Sequence, residues 1–245
     1  MAALAIAIAC GGGLAGCVST QQKNARAKIV ATRVLDSRRP QRVTRTSADV
    51  RVSSVTLVRG GRASAVVVEL RSSSPTALAD LPVEVGVRVG SHRRPLNAAG
   101  GLDWFQSHVP AIAANGTATW IFLTRRPVAA GGRPYARVGA GATALPDGAA
   151  LPRIATTVTA GPASRSDAGD RAERRVRVRV DNDSGIPQYG VQLYALVRRG
   201  GRLVAAGKAT VRHLGTGART TAAVALAGAP GDGSVRVHAI PTIFE

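Results

Sequence analysis

The stretch Arg175-Val176-Arg177-Val178-Arg179-Val180 followed by Asp181-Asn182-Asp183-Ser184-Gly185 decides the fold class. Its valines and arginines alternate with period two, which places every valine on one face of a strand and every arginine on the other. The Asp/Asn/Ser/Gly cluster then turns the chain, because these residues favour turn conformations. The pattern repeats downstream: Tyr189, Val191, Leu193 and Ala195 stand in one phase, and Gly200-Gly201 marks a hairpin before Leu203 to Val211. Thr220 to Leu226 and Val235 to Ile240 read as further strands, and Ile154 to Val158 as one upstream.

The same grammar governs the residues before Pro146. Val50 to Val58 alternates with a one-residue slip, and Val66-Val67-Val68-Glu69-Leu70 follows a Gly60-Gly61 turn. Leu81, Val83, Val85, Val87 and Val89 alternate, and Thr117 to Thr124 and Tyr135 to Val138 complete the set. The two halves can be overlaid. Val66 to Leu70 matches Val176 to Val180, and Leu81 to Val85 matches Tyr189 to Leu193. Ile112 to Leu123 matches Leu214 to Leu226, and Gly132 to Val138 matches Gly231 to Val237.

Composition agrees. Aromatics make up 3% of the 245 residues, so a core must be built mainly of Val and Leu, which suit pleated sheet positions. The 28 Gly and 13 Pro supply turns. The expected fold is all-β: two tandem immunoglobulin-like β-sandwich domains, with strands and turns every 8 to 12 residues as such sandwiches show. The division expected is a signal peptide over 1-16, a basic tether over 17-48, a first sandwich over 49-146 and a second over 153-245.

The second half resembles the FxLYD family, a small extracytoplasmic β-sandwich module of bacteria. The resemblance rests on Val178 to Asn182, on Val191-Gln192-Leu193-Tyr194-Ala195 and on Gly200 to Gly207. Val191 stands where the name-giving aromatic would be, and Ala195 where the Asp would be. The resemblance implies a fold and brings no catalytic residues with it.

The N-terminus carries a different signal. Residues 1 to 16 hold no charged side chain, and the apolar run Ala3 to Ala9 is shorter than the roughly 20 residues a spanning helix needs. Leu14-Ala15-Gly16-Cys17 resembles a bacterial lipobox, which implies cleavage before Cys17 and acylation (palmitate-type) of that cysteine. The n-region lacks the usual Lys or Arg. Cys10 would leave with the signal peptide, so the mature chain would hold neither disulfide nor cysteine metal site. The expected location is the extracytoplasmic face of a membrane, with the membrane as partner through the lipid.

Basic residues outnumber acidic ones 33 to 14, for a formal charge of +19, and thirty of the 33 are Arg. Residues 23 to 51 carry Lys23, Arg26, Lys28, Arg33, Arg38, Arg39, Arg42, Arg45 and Arg51 against Asp36 and Asp49. Such a segment reads as a solvated linker or as an electrostatic supplement to a lipid anchor. Ile29 to Leu35 fits a short strand or a piece of helix equally. Arg-rich usage is also what a GC-rich coding sequence yields, so the charge by itself assigns no partner.

Chemistry is sparse. His92, His108, His213 and His238 are scattered singly, and no HExxH, GxSxG or P-loop is present. Asp181 to Gly185 is oxygen-rich but lacks the downstream Glu of a helix-loop-helix calcium site, and reads as a turn. The unusual segment is Asn97 to His108, where Trp104 and Phe105 stand together in a Gly-flanked loop. Either this loop is a partner surface with Asp103 and His108 as its polar members, or its aromatics plug one end of the first sandwich or the gap between domains; the plug is favoured. The sequence therefore points to a non-catalytic binding or envelope-structural module with no cofactor and no metal. Two alternatives stay open: an envelope enzyme or accessory subunit using the 97-108 loop, and a basic adhesin for anionic wall polymer or nucleic acid. No specific nucleic acid is expected, and an envelope protein or anionic polymer remains a candidate partner.

Overall fold

The computed structural model describes residues 20–37, 42–61, 63–125, 128, 130–162 and 174–242. Among the described residues, apart from one helix, α1 (Thr20–Ser37), and a single 3-10 turn at Trp104–Gln106, the regular structure is antiparallel strand. The first half supplies β1 (Val50–Arg59), β2 (Ser64–Ser72), β3 (Leu78–Val89), β4 (His92–Pro95), β5 (His108–Ile112), β6 (Thr117–Thr124), β7 (Arg133–Val138) and β8 (Thr143–Ala144). The second supplies β9 (Ile154–Ala160), β10 (Arg175–Asn182), β11 (Gln188–Arg199), β12 (Arg202–Leu214), β13 (Arg219–Gly228) and β14 (Ser234–Ile240). The fold is all-β.

Hydrogen bonding divides the first half into two sheets, β1-β2-β6 and a β3-centred sheet with β4 and β5 on one edge and β7 and β8 on the other. The second half is one sheet in the order β14-β11-β12-β13-β10-β9. Its edges meet where the Thr156 hydroxyl on β9 donates to the Val237 carbonyl on β14 at 3.0 Å, so the sheet rolls around an interior of valines. Val176, Val178 and Val180 are fully buried there, while Arg175 and Arg177 stay outside, as the alternation predicts. The slip in the first strand is a bulge between Val52 and Ser54.

Both halves repeat one pairing scheme. Ladder β1–β2 corresponds to β9–β10, β2–β6 to β10–β13, and β3–β7 to β11–β14. Special positions recur 110 residues apart: left-handed Gly90 and Gly200, left-handed Asp80 and Gly190, and the turn-stapling side chains of Ser72 and Asn182. This corrects the sequence overlay over β3. The ladders match Val83 with Leu193 and Val138 with Ala239, not Val83 with Val191, Val85 with Leu193 or Val138 with Val237, because Val83↔Val138 and Leu193↔Ala239 hold equivalent places. The sequence overlay slipped by two residues, a shift that leaves every side chain on its proper face and so is invisible to alternation.

One difference breaks the repeat. Chain from His92 to Ile112 takes 21 residues, whereas its counterpart β12 crosses the same span in 13. The first half therefore carries an eight-residue insertion, and what is one strand in the second half is β4, a loop and β5 in the first.

Among the described residues no strand ladder joins the halves, yet the core does. Tyr194, Leu196, Ala206, Ala227 and Ile240 belong to the same apolar cluster as Val66, Val67, Leu81, Trp120 and Ile121. On β2, Val66, Val68 and Leu70 face one way and Ala65, Val67 and Glu69 the other, and the five apolar side chains are at most 2% exposed. The odd face looks toward the second half, since Glu69 accepts from Arg198 at 3.3 Å. An unbroken Val66-Val67-Val68 run is the pattern expected of a strand covered on both sides.

Two glycines of the two halves lie against each other. A Cβ on Gly60 would lie 2.7 Å from the Gly228 nitrogen, and one on Gly228 would lie 2.6 Å from Val58 Cγ1. Gly60→Ala should therefore cost about 1–3 kcal/mol through overpacking. Because the core is shared, a urea titration should show one transition displaced as a whole. A shift confined to one of two separate transitions would show that the halves fold independently.

Candidate functional site

The inserted loop is the chemically dense part of the molecule. Buried Asn97 pins its base: Oδ1 accepts from the Val85 amide at 2.9 Å, and Nδ2 donates to the Val83 and Gln106 carbonyls at 2.7 and 3.1 Å. Asp103 is exposed and caps the 3-10 turn, its carboxylate accepting from the Phe105 amide at 2.8 Å. Trp104 is 7% exposed. Its ring meets Phe105 edge-on at 5.4 Å and stacks on the half-buried His108 at 4.2 Å, 5° from parallel. His108 Nδ1 also lies 3.0 Å from the Ser107 hydroxyl. The four residues singled out in the loop are thus brought together, with the Trp104 ring occupied by packing.

The loop reaches across to the second half. Phe105 packs on Gly190, where a Cβ would come within 3.3 Å of its ring. The Phe105 carbonyl accepts from Trp120 Nε1 and from Lys208 Nζ, each at 3.3 Å. Lys208 stands opposite Tyr194 on neighbouring strands, beneath the loop. Burial pushes the Lys208 ammonium down to about 8, against an upward pull from Asp103. Burial pushes the Tyr194 phenol up, and its hydroxyl has no hydrogen-bond partner. Sequence reading missed this pair; the signal was a Lys and a Tyr in the two strands flanking one hairpin, legible only with the register known.

It also missed α1. The tether expected over 17-48 is helical from Thr20 to Ser37 and docks on the body. Arg26 lies over the Tyr189 ring at 3.5 Å; Arg33, two turns on, lies over Trp104 at 4.3 Å and pairs with Asp80 at 2.8 Å. Tyr189 in turn stands 4.7 Å from the His213 ring. The repeat's left-handed kink thus serves twice: as Asp80 it holds α1, and as Gly190 it admits Phe105. Cys17, the expected acylation site, lies outside the described residues.

The oxygen-rich turn is stapled from within. Asn182 Nδ2 donates to the Ile186, Leu214 and Gly215 carbonyls, while Oδ1 accepts from Ser184. Among the described residues no three His, Cys, Asp or Glu side chains gather as metal ligands would. His92, His213 and His238 are exposed and apart from one another, His213 against Tyr189.

No family model matches the chain, and no curated protein matches it. Two solved structures are similar to it at 11% identity each: the C-terminal globular domain of an oligosaccharyltransferase from Pyrococcus abyssi, with a TM-score of 0.22 over 86% of this chain, and a vicilin from Solanum melongena, with 0.19 over 86%. The chain spans 51% of the first structure's length and 86% of the second's. At these scores neither supports an argument.

Two outcomes follow from this geometry. Arg33→Ala removes a cation–π contact and a partly buried ion pair, together about 1–2 kcal/mol of docking. Hydrogen exchange of the α1 amides should accelerate on the order of tenfold while the strands keep their protection; unchanged α1 protection would show that Arg33 does not hold the helix. Lys208 gives a pH dependence of opposite sign to an ordinary ion pair. Its folded pKa, about 8, lies below the unfolded 10.5, so between those values the unfolded chain binds the extra proton. Stability should rise with pH across that window, by up to about 3 kcal/mol. Denaturation midpoints of wild type and Lys208→Met, compared from pH 7 to 10.5, should converge at the alkaline end as Lys208 loses its charge.

Proposed function

We propose that the protein is a lipid-anchored extracytoplasmic module, a binding or envelope-structural element and not a catalyst, whose anchor segment is clamped to its β body. The observation that carries this reading is the place of Leu14-Ala15-Gly16-Cys17, whose cysteine stands three residues before α1. Three residues reach at most about 11 Å. A lipid on Cys17 would therefore hold the start of α1 at the membrane surface, and the Arg26 and Arg33 contacts would hold the body to α1. Val30 and Val34 stand 45% and 50% exposed on that helix, which suits a segment lying against a lipid surface. No helix among the described residues is long and apolar enough to cross a membrane. The FxLYD-like strand pattern of the second half supports the same extracytoplasmic setting.

Cys17→Ala tests the proposal directly. Wild-type protein expressed in a bacterial host should sediment with membranes, incorporate labelled palmitate and shorten by the 16-residue leader. The variant should remain unprocessed and unlabelled. Equal labelling and equal partition of the two forms would remove the anchor from the proposal.

A further inference from the structure

The outer face of the rolled sheet is divided. Over β11 and β12 the first half covers it, burying Tyr194, Leu196 and Ala206. Over β13, β10 and β9 it is open, and there Arg175, Arg177 and Arg179 stand in one file along β10. Their cross-strand neighbours are short and exposed: Ala225, Ala223 and Thr221 on β13, and Ala160 and Thr157 on β9. Arg177 therefore stands between alanine methyl groups on both sides, while the Arg179 guanidinium also donates to the Thr157 hydroxyl at 3.3 Å. At the far end Asp181 accepts from Arg179 at 3.2 Å and from Arg219, which fixes the last two arginines side by side.

We infer that this file is a binding surface for a linear phosphodiester polymer that carries no bases. Arginines two residues apart on a strand recur at about 6.7 Å. An extended phosphodiester chain with a three-carbon polyol between phosphates repeats on that same length scale. Guanidinium groups grip phosphate oxygens bidentately, which fits Arg better than Lys for such a track. The aromatics argue against nucleic acid. A single-stranded nucleic-acid site pairs its basic groove with rings on which bases stack. Here Trp104, Phe105 and Tyr189 are engaged with α1 or at the seam, Trp120 and Phe122 lie in the core, and alanines and threonines, not rings, flank the arginines. The inference deepens the proposed function by naming a ligand class; the face itself does not depend on Cys17.

The test uses the full chain purified in a neutral detergent, with binding followed by fluorescence anisotropy. The probes are a labelled glycerol-phosphate polymer, a single-stranded oligonucleotide of matched phosphate number and a polyglutamate of matched charge. The glycerol-phosphate polymer should bind tightest, with affinity falling steeply as salt rises. The triple variant R175Q/R177Q/R179Q should lose on the order of tenfold in affinity and flatten the salt dependence. The variant R88Q/R93Q/R94Q removes the same charge from the exposed β3–β4 hairpin and should bind within about twofold of wild type. Equal losses from both triple variants would show that net charge alone drives binding and would overturn the inference. Tighter binding of the oligonucleotide or of polyglutamate would overturn the ligand class. If the triple variant fails to fold by circular dichroism, Arg177→Glu alone should still cost severalfold, and wild-type affinity there would also overturn it. None of these readouts depends on membrane anchoring, so failure of the Cys17 experiment and failure of this one are separable.

Discussion

A strand buried on both faces imposes more on its neighbours than any other element of a β protein, because each face needs its own partner layer. β2 is that strand here. Its even-numbered valines require the β3-centred sheet, and its odd-numbered face requires something from outside the first half. Each Val so covered contributes about 1.5–3 kcal/mol by leaving water. Tyr194, Leu196 and Ala206 of the second half supply the missing layer. That pairing fixes where the second half sits, brings Gly60 against Gly228, and leaves the Glu69–Arg198 ion pair at the margin, where both side chains keep partial exposure. Exposed pairs of that kind contribute little, so the seam is held chiefly by apolar contact.

The eight-residue insertion is best understood against the repeat it interrupts. In the second half β12 runs unbroken and bonds to β11 on one side and β13 on the other, which closes six strands into one sheet. In the first half the same path is cut after Pro95, and the sheets stay separate. The excised length becomes a loop whose aromatics cross the seam to Gly190 and whose backbone carbonyl at Phe105 receives both Trp120 and Lys208. One insertion thus changes the sheet topology of its own half and adds a polar clasp on the other.

Much of this was legible in the residues. The Val176–Val180 alternation, the bulged first strand and the buried valine series of β3 all follow from period-two reasoning. The plug reading of Trp104 also agrees with its burial. What escaped did so for identifiable reasons. The two-residue slip in the overlay preserves inside and outside, so no hydrophobic pattern can detect it. The helix α1 places Arg26 and Arg33 on aromatic rings of the body, and charged residues on a docking face are not what a search for an apolar stripe picks out. The triple-valine run of β2 did carry the information that both its faces are covered; a reading that gives each half its own closed core has no use for that information.

The distribution of charge follows from the same asymmetry. On a rolled sheet the interior face must be apolar, and the exterior face is free to vary with what it meets. Along one cross-strand row the sequence runs Arg175, Ala225, Lys208, Tyr194. Along that row Arg175 and Ala225 are exposed, Lys208 is half-buried and Tyr194 is fully buried. Lys208 stands at the boundary, its ammonium drawn beneath the loop and its pKa lowered by burial. A lysine at that place costs stability at neutral pH that a methionine would not, and in return a Lys208 donor meets the Phe105 carbonyl at the edge of the seam. The arginines beyond it bear no such cost, since water reaches them. The edge of the first half is therefore also the edge of the basic surface, and the size of the insertion sets where that edge falls.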